Sequence, residues 1–230
     1  MRRALAAAVL LVALGAGAIA VLVHRGSKST QATAPTTVQA TLAPDVLPRP
    51  GVHRYTQSGF EEAKAGPLKI HRGFPARAIL VVSGSRDVVQ EEWRYSKQHL
   101  EATRTRVTKT GRYSIWQRTR LTMVVTQDEA HAAVPVTLSR PNQLRVGQHW
   151  VQDYRVGGVH TISRNRVTGR CGPGCFVVVA DSTVSGAHPG TERDVTWESV
   201  TTGLTVRETI DRQIGGAFPY RMHLAVRLIR

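Results

Sequence analysis

The sequence predicts a mainly β domain: a curved antiparallel sheet or half-open β-barrel meander of about 10–12 strands, preceded by one N-terminal transmembrane helix. Three observations lead to this prediction. Apolar and polar residues alternate through most of the chain after residue 50. Turn-forming residues separate the alternating runs at spacings of about ten residues. A long uncharged run stands near the N-terminus.

The chain is predicted to divide into four regions. These are a cytoplasmic stub (1–3), a transmembrane signal-anchor helix (4–23), a flexible Thr/Ala/Pro-rich linker (24–50) and an extracytoplasmic β-domain (51–230). The linker is short of large apolar residues, so it cannot bury enough surface to fold. We therefore expect a single-pass protein of the cell membrane whose C-terminal domain lies outside the cytoplasm.

The N-terminal run is compatible with an anchor or with a cleaved signal. No charged residue occurs from Ala4 to Val23, and as a helix this run would measure roughly 30 Å, the thickness of a bilayer core. Arg2 and Arg3 precede the run and favour a cytoplasmic N-terminus. The alternative is cleavage near Ala20, after which the domain would be secreted. The anchor is preferred because the apolar run continues past that position.

The C-terminal segment shows the alternation most clearly. One face of a predicted strand carries only large apolar or aromatic side chains, while the other carries arginine and histidine. The residues of the apolar face are Tyr220, Met222, Leu224, Val226 and Leu228.

Two other stretches are less clearly strands. Asp87–Ala102 fits either a strand pair or an amphipathic helix, because its apolar residues also suit helical spacing. Gln127–Ala133 is predicted as a short helix that Pro135 ends.

The two cysteines, Cys171 and Cys175, flank a Gly-Pro-Gly turn. In an oxidising compartment this arrangement predicts a disulfide across the neck of a hairpin. The alternative is a redox pair. However, Phe176–Val179 continues as a predicted strand and not as the helix that would lower a thiol pKa. A structural bridge is therefore preferred.

The chain is strongly basic, with 31 Lys and Arg against 16 Asp and Glu and a formal net charge of +15. This excess favours anionic partners such as lipid head groups or an acidic envelope polymer, and no nucleic acid is expected outside the cytoplasm. A plain solvated basic face is the alternative. Six bases around a predicted hairpin form the candidate basic surface: Arg104, Arg106, Lys109, Arg112, Arg118 and Arg120.

Four aromatic residues on apolar strand faces are candidates for lining a ligand cavity, because curved antiparallel sheets often enclose one. Ordinary core packing is the default alternative for an aromatic residue on such a face. The four candidates are Trp150, Tyr154, Trp197 and Tyr220.

No catalytic, cofactor-binding or metal-binding pattern is recognisable in the sequence. The histidines form no pair at ligand spacing, and the glycines that would surround a nucleophilic serine or a phosphate are missing. Glu91 and Glu92 are adjacent and would point to opposite faces of a strand, so they make a poor acid–base pair. The sequence predicts a protein that is not an enzyme and has no cofactor; an enzyme with a dispersed site is the weaker alternative.

A strand-and-turn pattern in the C-terminal half carries a resemblance to known proteins. It runs through Val146–Trp150, Arg164–Gly169, Val177–Val179, Trp197 and Thr202–Glu208. In this pattern the chain resembles exported, membrane-anchored β-domains of actinobacteria, some of which have the curved sheet of lipoprotein-carrier (LolA/LprG-like) proteins. The resemblance implies no catalytic residues. The chain lacks the lipobox cysteine of those carriers, so a lipid-carrying role is an analogy from fold.

The tether, the two-faced strands and the basicity together predict a function. We expect a non-enzymatic, membrane-tethered envelope protein that binds a lipid or another amphipathic ligand in its curved sheet. The alternative is a structural or interaction module that docks its basic surface on an acidic cell-wall polymer or on a protein partner.

Overall fold

The computed structural model describes residues 47–229, which form thirteen β-strands joined by short loops. The strands are β1 Gly51–Ala65, β2 Leu68–Gly73, β3 Arg77–Gly84, β4 Val88–Arg94, β5 His99–Val107, β6 Gly111–Thr122, β7 Thr126–Pro141, β8 His149–Val156, β9 Val159–Gly172, β10 Cys175–Gly186, β11 Gly190–Ser199, β12 Thr205–Ile214 and β13 Tyr220–Leu228.

The strands form one antiparallel sheet that closes on itself. Each strand from β3 to β13 pairs with the next, and β13 returns to pair with β1, from Leu228 opposite Tyr55 to Tyr220 opposite Ala63. The first half of β1 also pairs with β3, so twelve strands form a closed ring. β2 is the extra strand and pairs with the second half of β1. The predicted antiparallel meander is confirmed, but the barrel is closed and not half-open because its first and last strands pair.

Gly59 allows the close approach of β1 and β13. Its φ is 128°, and a Cβ at this position would lie 2.0 Å from the carbonyl oxygen of His223 on β13. Any other residue would therefore clash with the strand that closes the barrel.

The predicted anchor and most of the predicted linker lie outside the described residues. Within residues 47–229, no helix is long and apolar enough to cross a membrane.

The two ambiguous stretches are both extended. Asp87–Ala102 contains β4 and the start of β5, which confirms the strand pair. The helix predicted for Gln127–Ala133 is wrong: these residues belong to β7 and pair with β6. A run this short carries too little periodicity to identify a helix, and pairing with a neighbouring strand decides its conformation.

The main apolar core lies against one wall of the barrel, formed by β12, β13, β1, β3 and β4. The predicted apolar face of the last strand is confirmed, since Met222, Leu224 and Val226 are all at most 2% exposed. They pack with inward side chains of the neighbouring strands, including Tyr55 and Leu80. A smaller cluster of Leu144, Val167 and Val178, with Trp150 and Phe176 packed against it, lies elsewhere in the barrel.

The predicted cysteine pairing is confirmed. Cys171 and Cys175 form a disulfide with their Cα atoms 5.1 Å apart. They lie at the end of β9 and the start of β10, so the bridge closes the base of this hairpin.

Replacing both cysteines by serine should lower the free energy of unfolding by about 2 kcal/mol, because the bridge closes a very small loop in the unfolded chain. Urea unfolding of residues 24–230 measures this loss. Reducing agent should reproduce it in the wild type and leave the double variant unchanged. A loss of about 5 kcal/mol would contradict the small-loop argument.

Candidate functional site

The meander places its hairpin loops alternately at the two ends of the barrel. The loops after β1, β4, β6, β8, β10 and β12 lie at one end, here called the upper end. Those after β3, β5, β7, β9 and β11 lie at the other, the lower end. The position of a residue along its strand therefore shows whether its inward side chain lies near the upper end, near the lower end or between them.

The largest interior space near the upper end is a cavity of about 410 Å³, here called the upper cavity. Tyr154 and Thr161 lie on neighbouring strands of its wall, and Phe218 and His188 reach it from upper loops. Gln117 donates a hydrogen bond to the Tyr154 hydroxyl at 3.2 Å. Further lining residues are Glu101, Ala102, Thr103, Arg118, Thr119, Leu121, Gln127, Glu129, Val159, Ser182, Val184, Glu192, Arg212, Ile214 and Tyr220.

A second space of about 260 Å³, the lower cavity, lies closer to the lower end. Thr103 and Gln117 line both cavities, so the two spaces meet at this depth. The lining of the lower cavity is polar and charged. It includes Glu91, Thr105, Arg112, Ser114, Ser139, Arg140, Gln152 and Glu198.

A chain of alternating charges crosses the barrel beside the upper cavity. At its centre is His99, which is fully buried and lies between two carboxylates. Its Nδ1 is 3.2 Å from Glu61 Oε2 and its Nε2 is 3.1 Å from Glu101 Oε1. Tyr220 donates its hydroxyl to Glu61 at 3.0 Å. Arg72 donates from Nε to the other Glu61 oxygen at 2.8 Å.

The chain of alternating charges continues toward β11 through Arg212. Its Nη1 donates to Glu101 at 2.6 Å, and its Nε donates to Glu192. Each acid in the chain thus has at least one cationic neighbour. Buried charges are tolerated when they are paired in this way.

The pairing shifts the pKa values inside the chain. Burial alone would lower the pKa of His99, but hydrogen bonds and charges from Glu101 and Glu61 raise it above the ordinary value. Burial opposes ionisation of Glu101, yet Arg212 and His99 hold its pKa well below the usual range. The ionised carboxylates therefore favour a protonated, cationic His99.

A half-buried carboxyl pair lies on the wall formed by β11 and β12. Burial, together with the charges of neighbouring acids, raises the pKa of both Asp194 and Glu208 above their ordinary values. Thr196 donates a hydrogen bond to Asp194 at 3.2 Å. Two acids in contact in a desolvated site favour sharing a proton over ionising together.

The structure separates the four aromatic cavity candidates. Tyr154 and Tyr220 line the upper cavity. Trp150 packs against the smaller apolar cluster and donates from Nε1 to the Ser139 carbonyl at 3.2 Å. Trp197 lies on the outer face, because it is adjacent to Glu198, which lines the lower cavity, and successive strand residues face opposite sides.

Trp197 instead forms part of the outer surface. The guanidinium carbon of Arg207, its partner on β12, lies 4.6 Å from the ring centroid. Such a contact stabilises an exposed arginine over an aromatic ring.

Not all six bases of the candidate basic surface lie on the outer face of the barrel. Arg104 lies over the Trp116 ring at 4.7 Å, and Arg118 binds Asp128 through two 2.8 Å hydrogen bonds on the outer face. Arg112 is different: it is 6% exposed and lines the lower cavity. Ile115 is an extra residue in β6, between the partners of Thr105 and Arg104 on β5. This bulge shifts the alternation within β6, so alternation in the sequence misplaced Arg112.

Sequence reasoning missed the charge chain. Glu61, His99 and Arg212 stand on strands far apart in the sequence, and no spacing connects them. The available signal was a charged residue on an inward strand face, as at Glu61 on the face that carries Tyr55 and Ala63, but the identity of its partners depends on barrel closure.

The fold and the site together define a closed antiparallel barrel with a polar interior cavity. No known family, curated protein or solved structure matches the chain. The resemblance to lipoprotein carriers therefore stays a prediction.

The shifted pKa values predict a domain that is more stable at about pH 5 than at about pH 8. The carboxyl pair keeps protons in the folded state that the unfolded chain has already lost, so rising pH favours unfolding. The raised pKa of His99 acts in the same direction, because its stabilisation is lost as pH rises through the folded-state value. Thermal unfolding across this range measures the slope.

Asp194→Asn should flatten this slope, since the amide cannot ionise. We expect the variant to gain about 1 kcal/mol or more over wild type at about pH 8 and to differ little at about pH 5. Asp87→Asn, on the exposed β3–β4 loop, is the control and should keep the wild-type slope. Parallel slopes for all three proteins would rule out the carboxyl pair as the cause.

Proposed function

We propose that this protein is a non-enzymatic, membrane-tethered binding protein of the cell envelope that holds a lipid or another small amphipathic molecule in the upper cavity. The observation that carries the proposal is the polarity of that cavity, which changes with depth. The deeper lining consists of hydrogen-bonding groups, whereas the apolar side chains lie near the upper loops, where they are mixed with Gln127 and His188.

The deep part of the cavity suits a polar head group. Gln117, in the middle of β6, presents an amide that bonds the Tyr154 hydroxyl, and Arg212 adds a guanidinium held by two carboxylates. Thr161 adds a second hydroxyl beside Tyr154, closer to the upper end of β9. A few fixed polar groups within a cavity orient a ligand and give specificity.

The outer part of the cavity suits an apolar chain. Leu121, Val159, Ile214 and Phe218 lie at strand ends or in loops of the upper end. With a volume of about 410 Å³, the cavity falls within the range typical of small-ligand sites. A ligand with a polar end inside and an apolar end toward the mouth matches both parts.

The charged groups of the site favour binding over catalysis. His99 has a carboxylate on each ring nitrogen, and Arg212 donates to one of these carboxylates, Glu101, and to Glu192. A general acid or base has to reach the proton that it transfers. Side chains committed to one another in this way supply a fixed electrostatic environment for a ligand.

The outer wall supports the second function, a docking module for an acidic polymer or a protein partner. Arg166 and Arg193 flank a single acid, Asp181, on adjacent outward strand positions. Arg104 and Arg207 each lie over an outer tryptophan. Such a surface attracts anions in a salt-dependent way, and it does not require the cavity.

A ligand-binding measurement tests the first function. Residues 24–230, folded with the disulfide, are titrated with dansyl-labelled undecanoic acid, and fluorescence gives the Kd. Thr161→Trp places a bulky ring inside the upper cavity and should weaken binding at least about tenfold, because the ring occupies ligand volume. Thr183→Trp makes the same change at an exposed position of β10 and should leave the Kd unchanged.

Native mass spectrometry of the same segment, after incubation with total membrane lipid extract, should show added mass that organic solvent removes. No added mass, together with an equal response of both tryptophan variants, would overturn the binding function. Salt-dependent adsorption to an acidic polymer would then favour the docking module.

A further inference from the structure

The upper end of the barrel exposes apolar side chains in its loops. Val124 and Val125 form the tip of the β6–β7 loop, and Phe218 lies in the β12–β13 loop. Val125 is 53% exposed and Phe218 is 45% exposed. Leu68, which begins β2, is 49% exposed. These four residues are here called the apolar rim.

The rim is held in place by the fold. Val124, Val125 and Phe218 line one small crevice together with Lys64, so the two loops lie side by side. Arg72 on β2 donates from Nη1 to the carbonyl of Thr122, the last residue of β6, at 3.0 Å. This hydrogen bond ties the start of the β6–β7 loop to β2. Exposed apolar residues grouped in this way mark an interaction site.

Basic residues flank the apolar rim. Lys64 and Lys69 are exposed register partners on β1 and β2, next to Leu68. Lys97 is exposed in the β4–β5 loop at the same end. Three acids lie nearby: Glu62 is 2.9 Å from His71 Nδ1 and 3.5 Å from Lys69 Nζ, Asp128 binds Arg118, and Glu129 is 3.9 Å from His131 Nε2. Apolar tips bordered by lysines suit the surface of an anionic bilayer, where the tips enter the acyl boundary and the ammonium groups meet phosphates.

The rim is continuous with the mouth of the upper cavity. Leu121, Gln127 and Phe218 line both the crevice and the cavity. A bilayer that covers the rim would therefore also cover the mouth.

We propose that the upper end of the barrel docks on an anionic lipid bilayer through Val124, Val125 and Phe218, with Lys64 and Lys69 at the head groups, so that the cavity mouth faces lipid. This inference rests on the proposed function, because it supplies the route by which an amphipathic ligand enters the cavity without crossing water.

Vesicle flotation tests the docking. Residues 24–230 lack the predicted anchor and keep the compact unit Thr41–Arg230. This segment should float with protein-free vesicles of phosphatidylcholine and phosphatidylglycerol, and much less with phosphatidylcholine alone. The V124S/V125S variant should bind at least about fivefold more weakly, because its loop tips lose their apolar surface. V134S/V136S removes two exposed valines from β7 instead and should bind as wild type does.

A second variant and its control test the lysines that flank the apolar rim. K64Q/K69Q should weaken binding to the anionic vesicles, whereas K109Q in the lower β5–β6 loop should not. Equal flotation of V124S/V125S and V134S/V136S, or no flotation of wild type with protein-free vesicles, would overturn the docking. The second result would point to a protein as the occupant of the rim.

Fluorescence titration with dansyl-labelled undecanoic acid separates this inference from the function beneath it. V124S/V125S should keep the wild-type Kd for the free probe, because the deep cavity is unchanged. A wild type that binds the probe but no vesicle contradicts only the docking. A wild type that floats with vesicles but binds neither the probe nor extracted lipid contradicts the proposed ligand binding in the upper cavity.

Discussion

The pairing of β1 with β13 is the constraint on which the rest of the structure depends. It joins residues near the two ends of the described chain along nine register positions and turns an open meander into a ring. Closure pairs the outer edges of β1 and β13, which as free edges could template aggregation. It also creates an inside, and every inward side chain then has to find either an apolar neighbour or a polar partner there.

The two halves of the barrel meet that demand differently. In the lower part of the closing seam the inward residues are apolar, and Tyr55, Leu80 and Leu224 form a dry core. Higher on the same strands the inward residues are charged: Glu61 on β1 and Arg212 on β12 belong to the chain of paired charges that crosses the barrel. A buried ion pair is weak evidence for stability, because desolvation offsets most of the attraction. The chain from Arg72 to Glu192 is better understood as fixing which strands face each other and as keeping space open for the upper cavity.

The contrast between the apolar core and the charged part of the interior explains which strands could be predicted from the sequence. The last strand was readable because Met222, Leu224 and Val226 face a dry core and their neighbours face water. β6 was not, because both of its faces mix polar and apolar residues and the bulge at Ile115 shifts the alternation. Tyr154 and Tyr220 were identified as cavity candidates from strand alternation alone, whereas His99 and its carboxylates required the three-dimensional register. Alternation gives a strand its two faces, but only closure decides which one is inside.

The inward placement of acids also changes the meaning of the net charge. Eight acidic residues line a cavity or lie in the barrel wall: Glu61, Glu91, Glu101, Glu129, Glu192, Asp194, Glu198 and Glu208. Fewer basic residues are inside, namely Arg72, Arg112, Arg140 and Arg212. The exterior of the described barrel is therefore more basic than the barrel as a whole, and it attracts anionic surfaces. That excess of charge does not by itself select one end of the barrel. The apolar rim occurs at the upper end, beside the cavity mouth, and an orientation relative to a bilayer follows from that local feature and not from the charge.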